Sequence, residues 1–406
     1  MAAFDAVVFN LRSDTCTRPT AAVRAAMANA VVGDDAHGDC PTVKALEARG
    51  AALVGMEAAV FVPSGTMGNL ASIMAHCAER GAELVCGDHA HILHYAMCKD
   101  RTITLVHGGC AALAGALVRA VPNRADGSLA LDDVARASGP RTAVVCVENT
   151  QCHLGGVAPP LAWHAALYAQ CAARAPPCAV HLDGARLFDA CAALGCAPRE
   201  LGACADSLTF CLSKGLGAPV GSLVCGGTAF CAKVRDARKM LGGTMHQCGV
   251  LAAAGLEVLK DEHVSARAVA DAEHARRLAA ALDAGGGGLI SVPARPQTNM
   301  IYARTAAPAA RVVEEMERRG VLAFAVEANT VRLICHLEIE ADAVETIATR
   351  IIQAAGAVGV AAGEDKRHFG KKPGGAAALE SVNAKPIDYL GSMLNIDTDP
   401  PTPSQQ

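Results

Sequence analysis

Aromatic residues and charge are both scarce in this sequence. Phe, Trp and Tyr make up 3% of its 406 residues, and charged residues make up 19%. So few aromatic rings argue against a protein that stacks on single-stranded bases. The net charge of −4 argues against a protein that binds the phosphate backbone of nucleic acids, because such a protein needs a strongly basic face.

A membrane-spanning run and a disulfide framework are also lacking. The long uncharged stretch 215–232 carries five glycines and one proline, which a spanning helix of about 20 apolar residues rarely tolerates. The 18 cysteines are scattered without a C-x-x-C pair, and many lie in apolar, strand-like runs, as buried free thiols do. The chain starts without a basic segment leading into a long apolar one. We therefore expect reduced thiols and a cytoplasmic location.

Short apolar runs alternate with helical patterns from about residue 20 to 255. The runs are unbroken, which is typical of strands buried on both faces of a mostly parallel sheet. A helical pattern at 161–175, for example, stops before Pro176. The pattern predicts an α/β fold with a mostly parallel, seven-stranded sheet. The runs lie at 59–62, 83–86, 103–106, 142–147, 179–182, 207–212 and 221–225.

The pattern changes after residue 255, where helices and strands no longer alternate regularly. Helices at 264–284, 309–319 and 341–355 and strands near 299–303 and 331–336 predict a small α+β domain. The end of the chain is rich in Gly, Pro, Lys and Ser, which favours a disordered tail. The predicted division is an N-terminal arm (1–20), a large domain (21–255), a small domain (256–360) and a tail (361–406).

A carboxylate and a lysine each follow the end of an apolar run. Asp183 follows AVHL, and Lys214 follows SLTFCLS. Taken alone, the first is typical of a turn and the second of a solvated side chain. Together they match pyridoxal phosphate (PLP), which needs a lysine for its Schiff base and a carboxylate facing its pyridine nitrogen.

A candidate phosphate site lies in FVPSGTMGN (61–69), which has the pattern strand, turn, helix. The first amides of the helix, at Gly65 and Thr66, are suited to bind an anion, although a simple helix cap has the same pattern. Ser213, beside the lysine, is a further phosphate donor by its position.

Three histidines in GDHAHILHY, His89, His91 and His94, follow another apolar run. Their spacing is not one of the strong metal motifs, so we predict no metal site. His91 is the candidate for an aromatic ring stacked on the pyridine ring, whereas solvated loop positions suit His89 and His94.

Eight blocks, in order along the chain, resemble the L-threonine aldolases of the aromatic amino acid β-eliminating lyase/threonine aldolase group. This resemblance runs from Leu11 to about Ala355 and implies the fold-type-I PLP architecture. The blocks are LRSDTCTRPT (11–20), GDDAHGDCPTVKALE (33–47), FVPSGTMGN, VENTQCHLGG (147–156), HLDGARLF (181–188), LSKGLGAPVGS (212–222), RKMLGGTMHQCG (238–249) and VRLICHLE (331–338).

The resemblance implies roles for individual residues. Lys214, Asp183 and His91 would be catalytic, as Schiff-base lysine, pyridinium partner and ring-stacking histidine. Arginine binds a carboxylate with two parallel hydrogen bonds, which suits a site for the amino-acid carboxylate. That substrate site would comprise Ser13, Arg186 and Arg332. The cofactor site would comprise Gly65, Thr66, His91, Asp183, Arg186, Ser213, Lys214, His246 and Lys239 of a neighbouring subunit.

Four positions depart from the pattern of the group. His37 replaces a tyrosine, and His246 replaces an arginine that normally assists the phosphate. Gln151 stands in the block usually written ENTHN, and Ser138 falls where a histidine near the substrate hydroxyl is often found. The predicted cofactor site stays intact, and the departures bear on cofactor affinity and substrate preference.

The implied activity is retro-aldol cleavage of L-threonine, L-allo-threonine or a related β-hydroxy-α-amino acid to glycine and an aldehyde. Such a lyase would serve threonine catabolism and glycine biosynthesis, as a homodimer or homotetramer with shared active sites. Two alternatives remain: a PLP-dependent lyase or racemase acting on another small amino acid, and a non-catalytic protein on the same scaffold.

Overall fold

The predicted apolar runs form strands in the computed structural model, which describes residues 8–94 and 108–368. The run at 103–106 lies outside the described residues. The strands are β1 (Phe9–Asn10), β2 (Ala58–Val62), β3 (Glu83–Gly87), β4 (Leu117–Val121), β5 (Thr142–Glu148), β6 (Ala179–Asp183), β7 (Ser207–Cys211), β8 (Ser222–Gly226), β9 (Ile290–Ser291), β10 (Met300–Thr305), β11 (Val321–Leu322), β12 (Phe324–Glu327) and β13 (Thr330–Ile334).

Helices occupy most of the connections between these strands. They are α1 (Ala21–Ala28), α2 (Pro41–Val54), α3 (Gly65–His76), α4 (His91–His94), α5 (Gly108–Ala112), α6 (Leu131–Ala137), α7 (Leu161–Ala172), α8 (Leu187–Leu194), α9 (Pro198–Gly202), α10 (Thr228–Met240), α11 (Gly249–Val258), α12 (Asp261–Gly285), α13 (Ala309–Arg318) and α14 (Val344–His368).

The large sheet has seven strands in the order β2-β8-β7-β6-β5-β3-β4. From β7 to β4 all neighbours are parallel, and β8 alone runs antiparallel to both of its neighbours. The predicted α/β fold with a mostly parallel, seven-stranded sheet is therefore confirmed. The carboxyl ends of β2, β3, β5, β6 and β7 meet at one edge of this sheet, where ligands bind in such folds.

Burial on both faces explains why most of these strands were predictable. Every residue of β3, β7 and β8 is buried. The edge strand β4 differs, since Leu117 is 52% exposed and Arg119 pairs with Glu83 on β3. It therefore has no unbroken apolar run, and the sequence analysis did not predict it.

The small sheet, in the order β12-β13-β10-β9, is antiparallel and has a separate apolar core with α12, α13 and α14. The N-terminal segment joins this core through Leu11, and β1 pairs with β11. Helix α14 continues to His368, thirteen residues beyond its predicted end at 355 (368 − 355). Of the predicted tail (361–406), residues 361–368 belong to α14 and residues 369–406 lie outside the described residues. The three predicted domain boundaries stay predictions.

No helix in the described ranges is long and apolar enough to cross a membrane. All described cysteines are free thiols.

Candidate active site

Asp183 is the last residue of β6, and both of its carboxylate oxygens accept hydrogen bonds. Its Oδ2 accepts a hydrogen bond from Asn69 Nδ2 at 2.7 Å, and its Oδ1 accepts one from the Ala185 amide at 3.1 Å. Its residue exposure is only 5%. The carboxylate is thus fixed between its own strand and helix α3, and each oxygen retains a lone pair for a further donor.

Helix α3 starts directly after β2 and presents its first amides at the same edge. Ser64 caps it, because its Oγ accepts the Met67 amide at 3.2 Å. Within the described ranges, no acceptor is recorded for the Gly65 and Thr66 amides. A Cβ at Gly65 would lie 2.8 Å from the Sγ of Cys211, so a side chain here would have to displace that sulfur at the end of β7. These amides and the helix dipole suit a phosphate group.

His91 begins α4, and Glu148 fixes that start. Glu148, at the end of β5, accepts the His91 amide at 2.8 Å, the Cys152 amide at 2.9 Å and Gln151 Nε2 at 3.2 Å. Burial, with the charge of neighbouring Asp183, raises the pKa of Glu148 to about 8. Gln151, one of the four departures, therefore helps to anchor the loop that carries His91.

The His91 side chain lines one cavity together with Thr66 and Asn69. The structure therefore brings the predicted ring-stacking histidine close to the predicted phosphate donor and to the partner of Asp183. The described part of the chain contains no group of three or more His, Cys, Asp or Glu side chains able to hold a metal.

Ser213 and Lys214 lie in the loop after β7, and both are half-buried. Lys214 lines a second cavity together with Arg186. Its charge acts on two buried carboxyls, Asp14 and Glu148, and favours their ionised forms. Glu148 is the register partner of Asp183 on the neighbouring strand, and Asp14 pairs with Arg186 of the predicted carboxylate site. The predicted lysine therefore lies near Asp183 and near that site.

Arg186 is buried and already holds a carboxylate of the protein. Its Nε and Nη2 donate to Asp14 at 2.6 and 2.8 Å. Burial alone would raise the pKa of Asp14. The charge and hydrogen bonds of Arg186, with the charge of Lys214 and a hydrogen bond from Asn299, together outweigh burial and hold the pKa at about 2. The paired N–H groups that the sequence analysis assigned to the substrate carboxylate are engaged by Asp14. Nη1 donates to the Sγ of Cys152 at 3.8 Å, and its second N–H is the part of the guanidinium left for the substrate.

The same N-terminal segment reaches the second predicted arginine. Arg332 Nη2 donates to the carbonyl of Arg12 at 3.1 Å, and Arg332 Nε is buried with no acceptor among the described residues. Ser13 follows Arg12 and precedes Asp14. Residues 12–14 therefore place Ser13 between the contacts of Arg332 and Arg186.

No recorded contact within the described ranges joins the remaining predicted residues to this cluster. Lys239 and His37 are exposed, and His246 is 74% exposed with its Nδ1 3.5 Å from Asp34 Oδ1. Their roles toward a neighbouring subunit or the phosphate stay predictions. Ser138 follows the last residue of α6, and its hydroxyl donates to Val134 O at 2.7 Å. No recorded contact in the described ranges joins it to the site.

Sequence reasoning missed the partners of the predicted residues: Asp14, Asn69 and Glu148. Each lies inside a family block quoted above, which was the available signal. Their partners lie far away in the chain, as in the pair Asp14–Arg186, so no local pattern assigns the contact.

The fold is a mostly parallel α/β sheet that carries a lysine and a carboxylate at its carboxyl edge, beside the amino end of a helix. This is the arrangement of the fold-type-I class. The chain belongs to the beta-eliminating lyase family, whose model matches residues 10–307.

Two relatives are similar over most of their length. The low-specificity L-threonine aldolase 1 of Arabidopsis thaliana is 38% identical over 81% of this chain and 91% of that protein. The low specificity L-threonine aldolase of Escherichia coli K12 is 39% identical over 84% of this chain and 97% of that protein. The resemblance noted in the sequence is confirmed.

A solved structure of the threonine aldolase of Leishmania major matches with a TM-score of 0.71 at 18% identity, over 86% of this chain and 99% of that chain. This likeness confirms the fold.

Proposed function

We propose that this protein is a PLP-dependent aldolase that cleaves β-hydroxy-α-amino acids, such as L-threonine and L-allo-threonine, to glycine and an aldehyde. One observation carries the proposal: Lys214, Asp183, His91 and Thr66 come from four separate segments to the same edge of the sheet. The relatives named above, which are threonine aldolases by name, support this choice among the reactions of the family.

The residues present fit PLP in three respects. The Gly65 and Thr66 amides would bind its phosphate. The Oδ1 of Asp183 would face its pyridine nitrogen, and Lys214 Nζ would hold it covalently. When bound, PLP would supply an electron sink for the pair released as the Cα–Cβ bond breaks.

The side chains divide the remaining work. Arg332, whose Nε has no acceptor among the described residues, and Ser13 bind the substrate carboxylate, and the Nη1 of Arg186 completes that site. His91 accepts the β-hydroxyl proton on a ring nitrogen, directly or through one water. The hydroxyl carbon leaves as an aldehyde, and Cα takes a proton to give glycine, so no further reactant is consumed.

Borohydride reduction tests the cofactor site. The wild-type protein should retain covalently bound PLP after reduction, and so should Lys44→Ala, which changes an exposed lysine away from the site. Lys214→Ala should retain none and should have no turnover, because no other amine is assigned to the cofactor. A reduced adduct at the active site of Lys214→Ala would contradict the assignment.

β-Elimination is a second candidate, and the description of the matching family favours it. It would release ammonia and a keto acid instead of glycine and an aldehyde. The homotetramer, the contribution of Lys239 across subunits and the cytoplasmic location stay predictions from the sequence.

A further inference from the structure

A chain of hydrogen bonds leads away from Asp183 through four side chains. Asn69 donates to Asp183 at 2.7 Å, and its Oδ1 lies 3.1 Å from His181 Nε2. His181 Nδ1 lies 2.9 Å from the Oγ of Ser207, which lies 2.8 Å from His76 Nε2. Beyond the bond between Asn69 and Asp183, none of these contacts entered the description of the site.

The secondary structure explains why these side chains meet. His181 and Asp183 are two residues apart on β6, so their side chains share one face of the sheet. Ser207 is the register partner of His181 on β7. Asn69 and His76 are seven residues apart, two turns along α3, and so lie on one face of that helix.

The carboxylate determines the direction of every bond in the chain. An ionised Asp183 only accepts, so Asn69 must turn its NH₂ toward it and its carbonyl oxygen toward His181. His181 must then carry its proton on Nε2, and its bare Nδ1 accepts the Ser207 hydroxyl. The Ser207 oxygen in turn accepts from His76 Nε2. All four donors therefore point toward Asp183.

Burial keeps the chain free of charge. Asn69 is 5% exposed, and His181 and Ser207 are fully buried. Burial, with the nearby ring of His76, lowers the pKa of His181 to about 3. Burial, with the charge of Lys233, lowers the pKa of His76 to about 4. Both rings are neutral near pH 7. The chain of hydrogen bonds therefore acts on Asp183 through aligned dipoles, which strengthen one another at low dielectric.

We propose that Asn69, His181, Ser207 and His76 are positioning residues that hold the Asp183 carboxylate in place, aimed at the pyridine nitrogen of PLP. The inference rests on the proposed function for the presence of PLP. Asp183 in turn keeps that nitrogen protonated, because opposite charges at short range each favour the ionised form.

The first test uses the apoprotein and needs no turnover. In histidine-labelled wild-type protein at pH 7, ¹⁵N NMR should show His181 as the neutral Nε2–H tautomer. Finding the Nδ1–H tautomer or a charged ring would overturn the proposal. If His181 is the Nε2–H tautomer and the protein binds PLP but releases no aldehyde, the aldolase function would be contradicted and the positioning role would stand.

The second test uses holoenzyme and two serine variants. Ser207→Ala removes a link of the hydrogen-bond chain. The control, Ser72→Ala, removes a fully buried hydroxyl on α3 whose one recorded hydrogen bond among the described residues goes to Gly68 O. Ser207→Ala should raise the PLP dissociation constant at least threefold and move the ¹⁵N shift of labelled PLP toward the unprotonated pyridine. Ser72→Ala should leave both unchanged. Equal effects of the two variants, or an unmoved ¹⁵N shift in Ser207→Ala, would overturn the proposal.

Asn69→Leu gives the largest expected effect, because it removes the bond to the carboxylate itself. Loss of a hydrogen bond to a charged group corresponds to about a tenfold or greater rise in the PLP dissociation constant. If this variant does not fold, the comparison of the two serine variants and the tautomer of His181 still test the proposal.

Discussion

Asp14→Asn tests the buried ion pair that holds Arg186. Folding lowers the pKa of Asp14 from 3.8 to about 2. Each pKa unit corresponds to 1.36 kcal/mol, so ionised Asp14 contributes about 2 to 3 kcal/mol to the free energy of unfolding at neutral pH. Because the folded pKa is the lower one, this contribution is complete above about pH 4 and is lost as pH falls toward 2. By pH 3 the wild-type protein should have lost about 1 kcal/mol of it.

The asparagine variant keeps an oxygen for Arg186 but leaves its buried charge without a counter-ion. Breaking a buried pair in this way costs about 3–5 kcal/mol. Urea unfolding of the apoprotein at pH 7 should show this loss, and the gap to wild type should narrow by about 1 kcal/mol at pH 3.

Glu338→Gln provides the matched control, since it breaks the ion pair with Arg18, whose side chain is 80% exposed. An exposed pair contributes about 0–1 kcal/mol, so this variant should unfold nearly as wild type does. The reasoning would be refuted if the two variants lost equal stability, or if the gap for Asp14→Asn did not change between pH 7 and pH 3.

Three further predictions concern substrate, cofactor and tail. Arg332→Ala should raise KM about tenfold or more with unchanged PLP affinity, because it loses a charge-assisted bond to the substrate carboxylate; loss of PLP with unchanged KM would assign Arg332 to the cofactor instead. His246→Arg should lower the PLP dissociation constant, at most about fivefold for a solvent-exposed charge pair, and an unchanged constant would mean that His246 serves only its contact with Asp34. Truncation after His368 should leave kcat unchanged in a steady-state aldehyde assay, and a folded but inactive product would show that the tail contributes to catalysis.

Strands buried on both faces could be predicted from the sequence, because burial leaves a short unbroken apolar run. β7 and β8 are examples, with every residue buried. The edge strand β4 could not, because its exposed Leu117 and Arg119 break that signal. The end of α14 was misplaced, since alanine and glycine after 355 suit a helix or a loop almost equally well by pattern alone.

The site could be predicted only as far as strand ends and family blocks allow. Asp183 and Lys214 follow apolar runs directly, so their meeting at one sheet edge was expected. The partner of Arg186 was not, because Asp14 lies 172 positions away and a substrate carboxylate would satisfy the same N–H groups. Contacts of this kind depend on tertiary packing, which leaves no periodic signal in the chain.

Product analysis tests the proposed aldolase activity most directly. Purified protein with added PLP should convert L-threonine, L-allo-threonine or both to glycine and acetaldehyde in equal amounts, and Lys214→Ala should release neither. Ammonia and a keto acid in place of glycine and acetaldehyde would contradict the aldolase assignment and establish β-elimination instead.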